Sequence, residues 1–341
     1  MNDLTINKIP SLTWHFLRMN DARVKWQQPV TAADVTADGA DDVLTANDGA
    51  KGYFPSDDAD LLFDGECAVL SVTAAEGEEK TARLSFSDNA SSSAAKLYIT
   101  GGKNSKLTVY VTFTGDKYLA FKSITEAADG ADVKIILTEL TQEGGKLICT
   151  SQADVGKNAC LSMYRFCPGT VATYAQSRVV LRGDESKLYS RTAYVGRGSQ
   201  KLDMNYVAAH LGRRTECDIE ANGVLDDSAS KTFRGTIDFR CGSSGSVGSE
   251  VENVLLLGEN IENKTLPVIL CDEEDVNGSH GATIGQISDE TLFYFASRGI
   301  SEEQARPLLT RSVSDAFCRM VNDDETTAQI NKRTEGDDYD E

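Results

Sequence analysis

The sequence predicts a mainly β chain that ends in a few helices, and three observations carry that prediction. Between about residues 61 and 275, short runs rich in β-branched and aromatic residues recur, such as Leu107-Thr108-Val109-Tyr110-Val111-Thr112-Phe113 and Val133-Lys134-Ile135-Ile136-Leu137. Several alternate apolar and polar, the mark of a strand with one buried face. Gly, Asn, Asp and Ser punctuate the runs, as at Gly101-Gly102, Gly115-Asp116, Gly144-Gly145 and Gly183-Asp184, and these residues suit turns. After Gln286 the spacing of apolar residues changes to that of a helix.

Taken in order, residues 1–60 read as an N-terminal segment followed by an acidic connection. Trp14, His15 and Trp26 fall in the first part, which is expected to dock on the body as a short helical or irregular piece. Asp38-Gly39-Ala40-Asp41-Asp42 and Asn47-Asp48-Gly49 predict weak order. Residues 61–286 form the β core. So many short strands are unlikely to make one flat sheet, which leaves a sandwich, a barrel or a solenoid. Lys-Leu pairs recur at Lys96, Lys106, Lys146, Lys187 and Lys201, with unequal spacing. Residues 287–322 form the helical region. Ser288 is placed to cap its first helix and Gly299 to stop it. Ser301 and Gln304 have the spacing of a capping box, and Pro307 is expected to break or kink the second helix. Leu308, Leu309, Val313, Phe317 and Met320 mark its apolar stripe. Residues 323–341 are expected to fray into an acidic, disordered tail.

Composition narrows the function. The 341 residues carry 53 Asp and Glu against 34 Lys and Arg, a formal charge of −19. Nucleic acid binding needs a basic surface to neutralise phosphates, and so does an anionic membrane, so both are excluded. The start lacks a basic, then apolar leader, and no run reaches membrane-spanning length. A cytoplasmic location is expected. The eight cysteines are scattered and make no Cys-x-x-Cys pair, so most read as small buried hydrophobes.

Chemistry has few places to sit. His280 lies between Ser279 and Gly281 at the end of the β region. Small neighbours leave its ring accessible, and neutral imidazole is a ready ligand for iron or zinc. A ring that merely caps the last coil by hydrogen bonding is the simpler alternative. Cys271-Asp272-Glu273-Glu274-Asp275 adds a thiol and four acids nearby, a weaker metal signal. His210 reads as structural. Gly242-Ser243-Ser244-Gly245 lacks the Gly-Lys-Ser/Thr of a phosphate loop. No Gly-x-Ser-x-Gly or His-Glu-x-x-His sequence occurs.

The stretch Ser279-His280-Gly281-Ala282-Thr283-Ile284-Gly285-Gln286, followed by Phe293-Tyr294-Phe295-Ala296-Ser297-Arg298-Gly299-Ile300, resembles the C-terminal signature of the SufB/SufD family of iron–sulfur cluster assembly scaffolds, in its SufD-like form. Lys231-Thr232-Phe233-Arg234-Gly235 and Asn253-Val254-Leu255-Leu256-Leu257 resemble two further family segments. The similarity is dense over about 230–312. Glu252 and Ile261 stand where SufB-like members carry cysteines, and Gly281 where they carry Glu, which favours the SufD-like form.

The resemblance implies a right-handed parallel β-helix core with C-terminal helices. It implies a non-catalytic scaffold subunit that works with a SufB-like subunit and a SufC-like ABC-type ATPase, or pairs with its own copy. It implies His280 as an iron or cluster ligand, and an ATPase-docking face on the helices, through Phe293, Phe295, Arg298, Leu308 and Leu309. No cofactor held stably by the isolated chain is expected, with iron or a cluster bound in the complex. The long helical N-terminal domain of many members has no counterpart here. Two rival expectations are a carbohydrate-active β-helix enzyme using paired carboxylates and a purely structural solenoid. Aromatic residues at only 7% speak against a sugar-binding groove.

Overall fold

A computed structural model describes residues 1–341 except 14, 42–52, 55, 143, 169–171 and 337–341. Among the described residues, the chain winds through two nine-stranded sheets, alternating from one to the other, so that each strand pairs with the strand two further on. From residue 79 onward every pairing between strands of the coil is parallel. The result is a β-solenoid of about 8 turns, the expected class.

Equivalent strand positions stack in register from turn to turn. Lys106 pairs with Asp132, Asp132 with Cys160, Cys160 with Lys187, and Lys187 with Glu216. The leucines that follow the Lys residues at strand starts, Leu107, Leu147, Leu188 and Leu202, all point into the lumen and are buried. The Lys-Leu spacing is uneven because Lys106 and Lys187 open strands of one sheet, whereas Lys146 and Lys201 open strands of the other. One corner repeats a left-handed residue in each turn: Asn104, Gly130, Asn158, Glu185, Arg214 and Gly245 have φ between 52° and 77°. Each of them donates its backbone N–H to the turn of the next coil. At Gly130 a side chain would also have to displace the Asn104 amide, which a bare glycine avoids.

Both outer faces of the middle coils are covered, and this explains strands buried from end to end. An antiparallel hairpin, Asn2–Ile6 with Ala22–Trp26, lays Leu4, Ile6, Val24 and Trp26 over Ala94, Ala120, Ile148 and Tyr174 on one sheet. The short helical turn Asp58–Phe63 adds Leu62 and Phe63. Arg234 fastens this layer: its guanidinium donates to the carbonyls of Met19 and Asp21 and to Asp203, which also accepts from Asn7. The hairpin replaces the helical or irregular segment expected from sequence, although His15–Leu17 does form one short helical turn. Thr31–Ala32 and Asp34–Asp38 are strands, so the acidic connection is ordered over those residues. Asn47-Asp48-Gly49 lies outside the described residues.

Three helices follow the coil, α1 (Asp289–Ser297), α2 (Glu302–Val321) and α3 (Asp324–Gly336), and α2 and α3 cover the other sheet. Ser288 and Ser301 cap α1 and α2, the latter with the full capping box to Gln304. Gly299, at φ 76°, follows α1. Helix α2 continues past Pro307, so the expected break does not occur. It survives because Pro307 lies only one turn past the cap and the long C-terminal part is anchored by packing. Phe317, Cys318 and Val321 bury against Ile136, Phe166 and Ala193, with the Phe166 and Phe317 rings 5.3 Å apart.

Over Asp324–Gly336 the expected disordered tail is instead helix α3, while residues 337–341 lie outside the described residues. Asp323 caps the helix by accepting from the Thr326 N–H at 2.9 Å and pairs with the Arg83 guanidinium of the coil. Burial alone would raise the Asp323 carboxyl, but Arg83 and the Thr326 N–H and hydroxyl hold it down at about 2. Ile330 then packs into the cluster under the helices. Two local devices and one buried side chain therefore order a polar segment that composition alone describes as unfolded.

Candidate functional site

The C-terminal end of the coil is where sequence and geometry converge. The last two coil strands are Glu262–Cys271 and Val276–Gln286. Their partners on the preceding rung are Ser230–Phe239 and Ser246–Leu256. Along Ser246–Leu256 the lumen-facing residues are Ser246, Gly248, Glu250, Glu252 and Val254. A side chain at Gly248 would strike Ile237, Phe239 and Cys217, and one at Gly278 would strike Phe239 and Ile269. Both glycines therefore face the lumen. His280 pairs with Glu250 and shares the parity of Gly278, so it belongs to the lumen-facing set of the final rung. Its side chain is exposed because that rung is the end of the coil.

Directly beneath it the lumen is charged. Glu252 is fully buried and accepts hydrogen bonds from the Lys231 ammonium at 2.6 Å, the Tyr194 hydroxyl at 2.8 Å and Thr265. Burial pulls the Lys231 pKa down, opposed by Glu252. Burial and the Glu252 charge push the Tyr194 pKa well up. Glu250 is 1% exposed, and neither of its carboxylate oxygens has a hydrogen-bond partner among the described residues. Its side chain lies across the bare α-carbon of Gly235, where an added methyl would come within 2.7–3.0 Å of it. Burial, and next the charge of Glu252, push the Glu250 carboxyl up to about 8, with Lys231 opposing.

Polar side chains continue deeper into the coil. The Thr192 and Tyr206 hydroxyls are 3.0 Å apart. Beyond them Arg165 pairs with Glu139 at 3.1 Å and donates to Cys149, while Cys167 and Thr173 both donate to Glu139. Burial raises the pKa of both thiols, so neither is an activated nucleophile.

The remaining sequence candidates separate from His280. Cys271 is exposed at the end of its strand, where its thiol donates to the Glu273 carbonyl. The acids after it brace the preceding turn: Asp272 faces Arg240, Glu273 accepts from the Gly242 N–H, and Asp275 accepts from Ser244. No cluster of three or more His, Cys, Asp or Glu able to hold a metal occurs among the described residues. His210 is buried against Phe239, with Nδ1 2.7 Å from the Thr215 hydroxyl, and burial takes its pKa down to about 4. It serves the core.

On the helices, Phe293 and Leu308 are exposed, with Phe293 at 76%. Phe295 and Leu309 are half-buried. Arg298 is exposed and lies over the Tyr294 ring at 5.2 Å. The expected stripe on α2 is therefore split, with Phe317 turned to the coil and Leu308 and Met320 turned outward. Sequence reading missed Glu250 and Lys231. The available signal was the parity of Glu250 and Glu252 with Gly248 and Val254, which places two acids on a lumen-facing row.

The C-terminal end of the coil lies within the stretch that a known family matches. Residues 84–313 match the model of the SUF system FeS cluster assembly SufBD core domain. The iron–sulfur cluster assembly protein SufD of Bacillus subtilis is 34% identical over 137 residues, which is 40% of this chain and 31% of that protein. A SufBD family iron–sulfur cluster assembly protein of Synechocystis is 27% identical over 166 residues, 49% of this chain and 34% of the relative. One from Galdieria sulphuraria is 26% identical over 164 residues, 48% of this chain and 72% of the relative. The matched stretch thus spans about a third of the first two relatives.

Proposed function

The chain belongs to the SufBD core family of iron–sulfur cluster assembly proteins, and from that premise we propose that it is a SufD-like, non-catalytic scaffold subunit. It works beside a SufB-like scaffold and a SufC-like ABC-type ATPase, and His280 is a ligand for iron or the nascent cluster, which is cargo. The observation that carries this reading is the place of His280: lumen-facing, exposed, and on the final strand of a coil whose interior is otherwise closed.

Two features support the partner assignment. The end strands Glu262–Cys271 and Val276–Gln286 carry no fully buried residue. They present unpaired backbone groups that a second scaffold subunit could continue by edge pairing. Phe293, Tyr294 and Leu308 form an exposed apolar group on α1 and α2, flanked by Arg298, Phe295 and Leu309; this is the face assigned to the ATPase.

The test is anaerobic size-exclusion chromatography of the tagged chain with SufB-like and SufC-like proteins of the same source, followed by cluster reconstitution. The reading predicts a ternary complex, and a lower cluster yield with His280→Ala at unchanged complex formation. Absence of any complex, or an unchanged yield, contradicts it.

A further inference from the structure

We propose that Glu250 and His280 form a two-residue binding site for a divalent first-row transition-metal ion at the open end of the solenoid, with Glu250 supplying the buried carboxylate and His280 the exposed imidazole. The inference rests on the scaffold reading for the role of His280 and adds a ligand to it.

Register and parity place the two residues side by side on neighbouring strands of one face. They are register partners on adjacent parallel strands, which lie about 4.8 Å apart. They share lumen-facing parity, fixed by Gly248 and Gly278 on the same two strands. One metal ion with ligand bonds of about 2.0–2.2 Å spans such a gap. The residues flanking His280 on its face, Gly278 and Ala282, are small.

The contrast between the two buried acids shows which one waits for a ligand. Glu252 is satisfied by Lys231, Tyr194 and Thr265. Glu250, two residues away on the same face, has two unpartnered oxygens at 1% exposure. A buried polar group without a partner costs about 1–3 kcal/mol, and more when charged. The fold also keeps Gly235 bare beneath that carboxyl, where any side chain would displace it. A buried, unsatisfied carboxyl one strand from an accessible imidazole offers the oxygen and nitrogen donors that iron(II), cobalt(II) and zinc(II) accept. The other coordination positions open toward the end of the coil, where water or a partner subunit can fill them.

The experiment is an anaerobic titration of the full chain with cobalt(II), followed by calorimetry and by the metal's visible absorption, with parallel NMR of the His280 ring. Wild type, Glu250→Gln, Glu250→Asp and His280→Ala are compared, and thermal unfolding checks that each variant folds. The proposal predicts that Glu250→Gln and His280→Ala each weaken binding at least about tenfold, that the double variant is little worse than either single one, and that Glu250→Asp keeps part of the affinity. The cobalt-shifted His280 signals seen in wild type should vanish in Glu250→Gln. If Glu250→Gln binds like wild type while His280→Ala does not, the Glu250 assignment is overturned and the scaffold reading of His280 stands. If Glu250→Gln loses binding and His280→Ala keeps it, the paired site is overturned. No binding by wild type overturns it as well, leaving the scaffold reading to the cluster-yield experiment.

Discussion

The inner coils of the solenoid and its C-terminal end are made from the same kind of strand but finished differently. Lys201–His210, two strands in from the end, is buried at nine of its ten positions, because the lumen takes one face and the N-terminal segment packs on the other through Asn7 and Lys8. Glu262–Cys271 and Val276–Gln286, at the end, have no fully buried position. The inner part is a completed structure. The end exposes strand edges, a histidine and apolar helical side chains, and on this difference rests the proposal that other molecules complete it.

The largest expected effect lies just inside the boundary. Glu252→Ala strands the Lys231 ammonium in the lumen and should cost about 3–5 kcal/mol in urea unfolding. Replacing both partners, with Lys231→Met and Glu252→Leu, should recover most of that loss. If the single change costs nothing, the end lumen is wet and the comparison with a closed interior fails.

The helices give the next contrast. Phe317→Ala removes a fully buried ring stacked on Phe166 and should cost about 3–5 kcal/mol. Phe293→Ala, one helix earlier and exposed, should change stability by less than about 0.5 kcal/mol while weakening ATPase binding. Equal destabilisation by the two would mean that the exposed group is ordinary core.

Acidity sharpens the account of Glu250. Its folded pKa of about 8 lies above the ordinary carboxylate value. The stability tied to its neutral form is therefore fully present below about pH 4.3 and is lost as pH rises through about 8. The groups facing it are Glu252 and Lys231 on the lumen side, with His280 one strand beyond. Glu250→Gln should flatten this slope by a few kcal/mol across the interval, and a slope identical to wild type in chemical unfolding between pH 5 and 8 would contradict the burial argument. The smallest effect is expected for His280→Ala, whose exposed ring should alter stability by less than about 0.5 kcal/mol.

Much of this was legible because it is local. Strand alternation, the caps at Ser288 and Ser301, and the stop at Gly299 depend on neighbours in sequence, and the structure bears each out. What escaped depends on distant partners. The Asn2–Ile6 strand is a strand because Ala22–Trp26 pairs with it and Trp26 finds a buried place against Tyr118. Helix α3 is ordered by Arg83, remote in sequence from its cap Asp323. The Lys-Leu pairs hid the coil period because they open strands in two different sheets. At the site, His280 stood out for its small neighbours, whereas Glu250 looked like any surface acid. Only the turn of the coil shows that it points inward, over a glycine fifteen positions back in the chain.

The central claim is that the exposed last rung is the assembly face. Hydrogen exchange of the chain, alone and with a SufB-like partner, tests it most directly. The account predicts slowed exchange across Glu262–Cys271 and Val276–Gln286 on complex formation, with Lys201–His210 unchanged. Protection confined to the hairpin or to helix α3, with the last two strands exchanging as before, would contradict it.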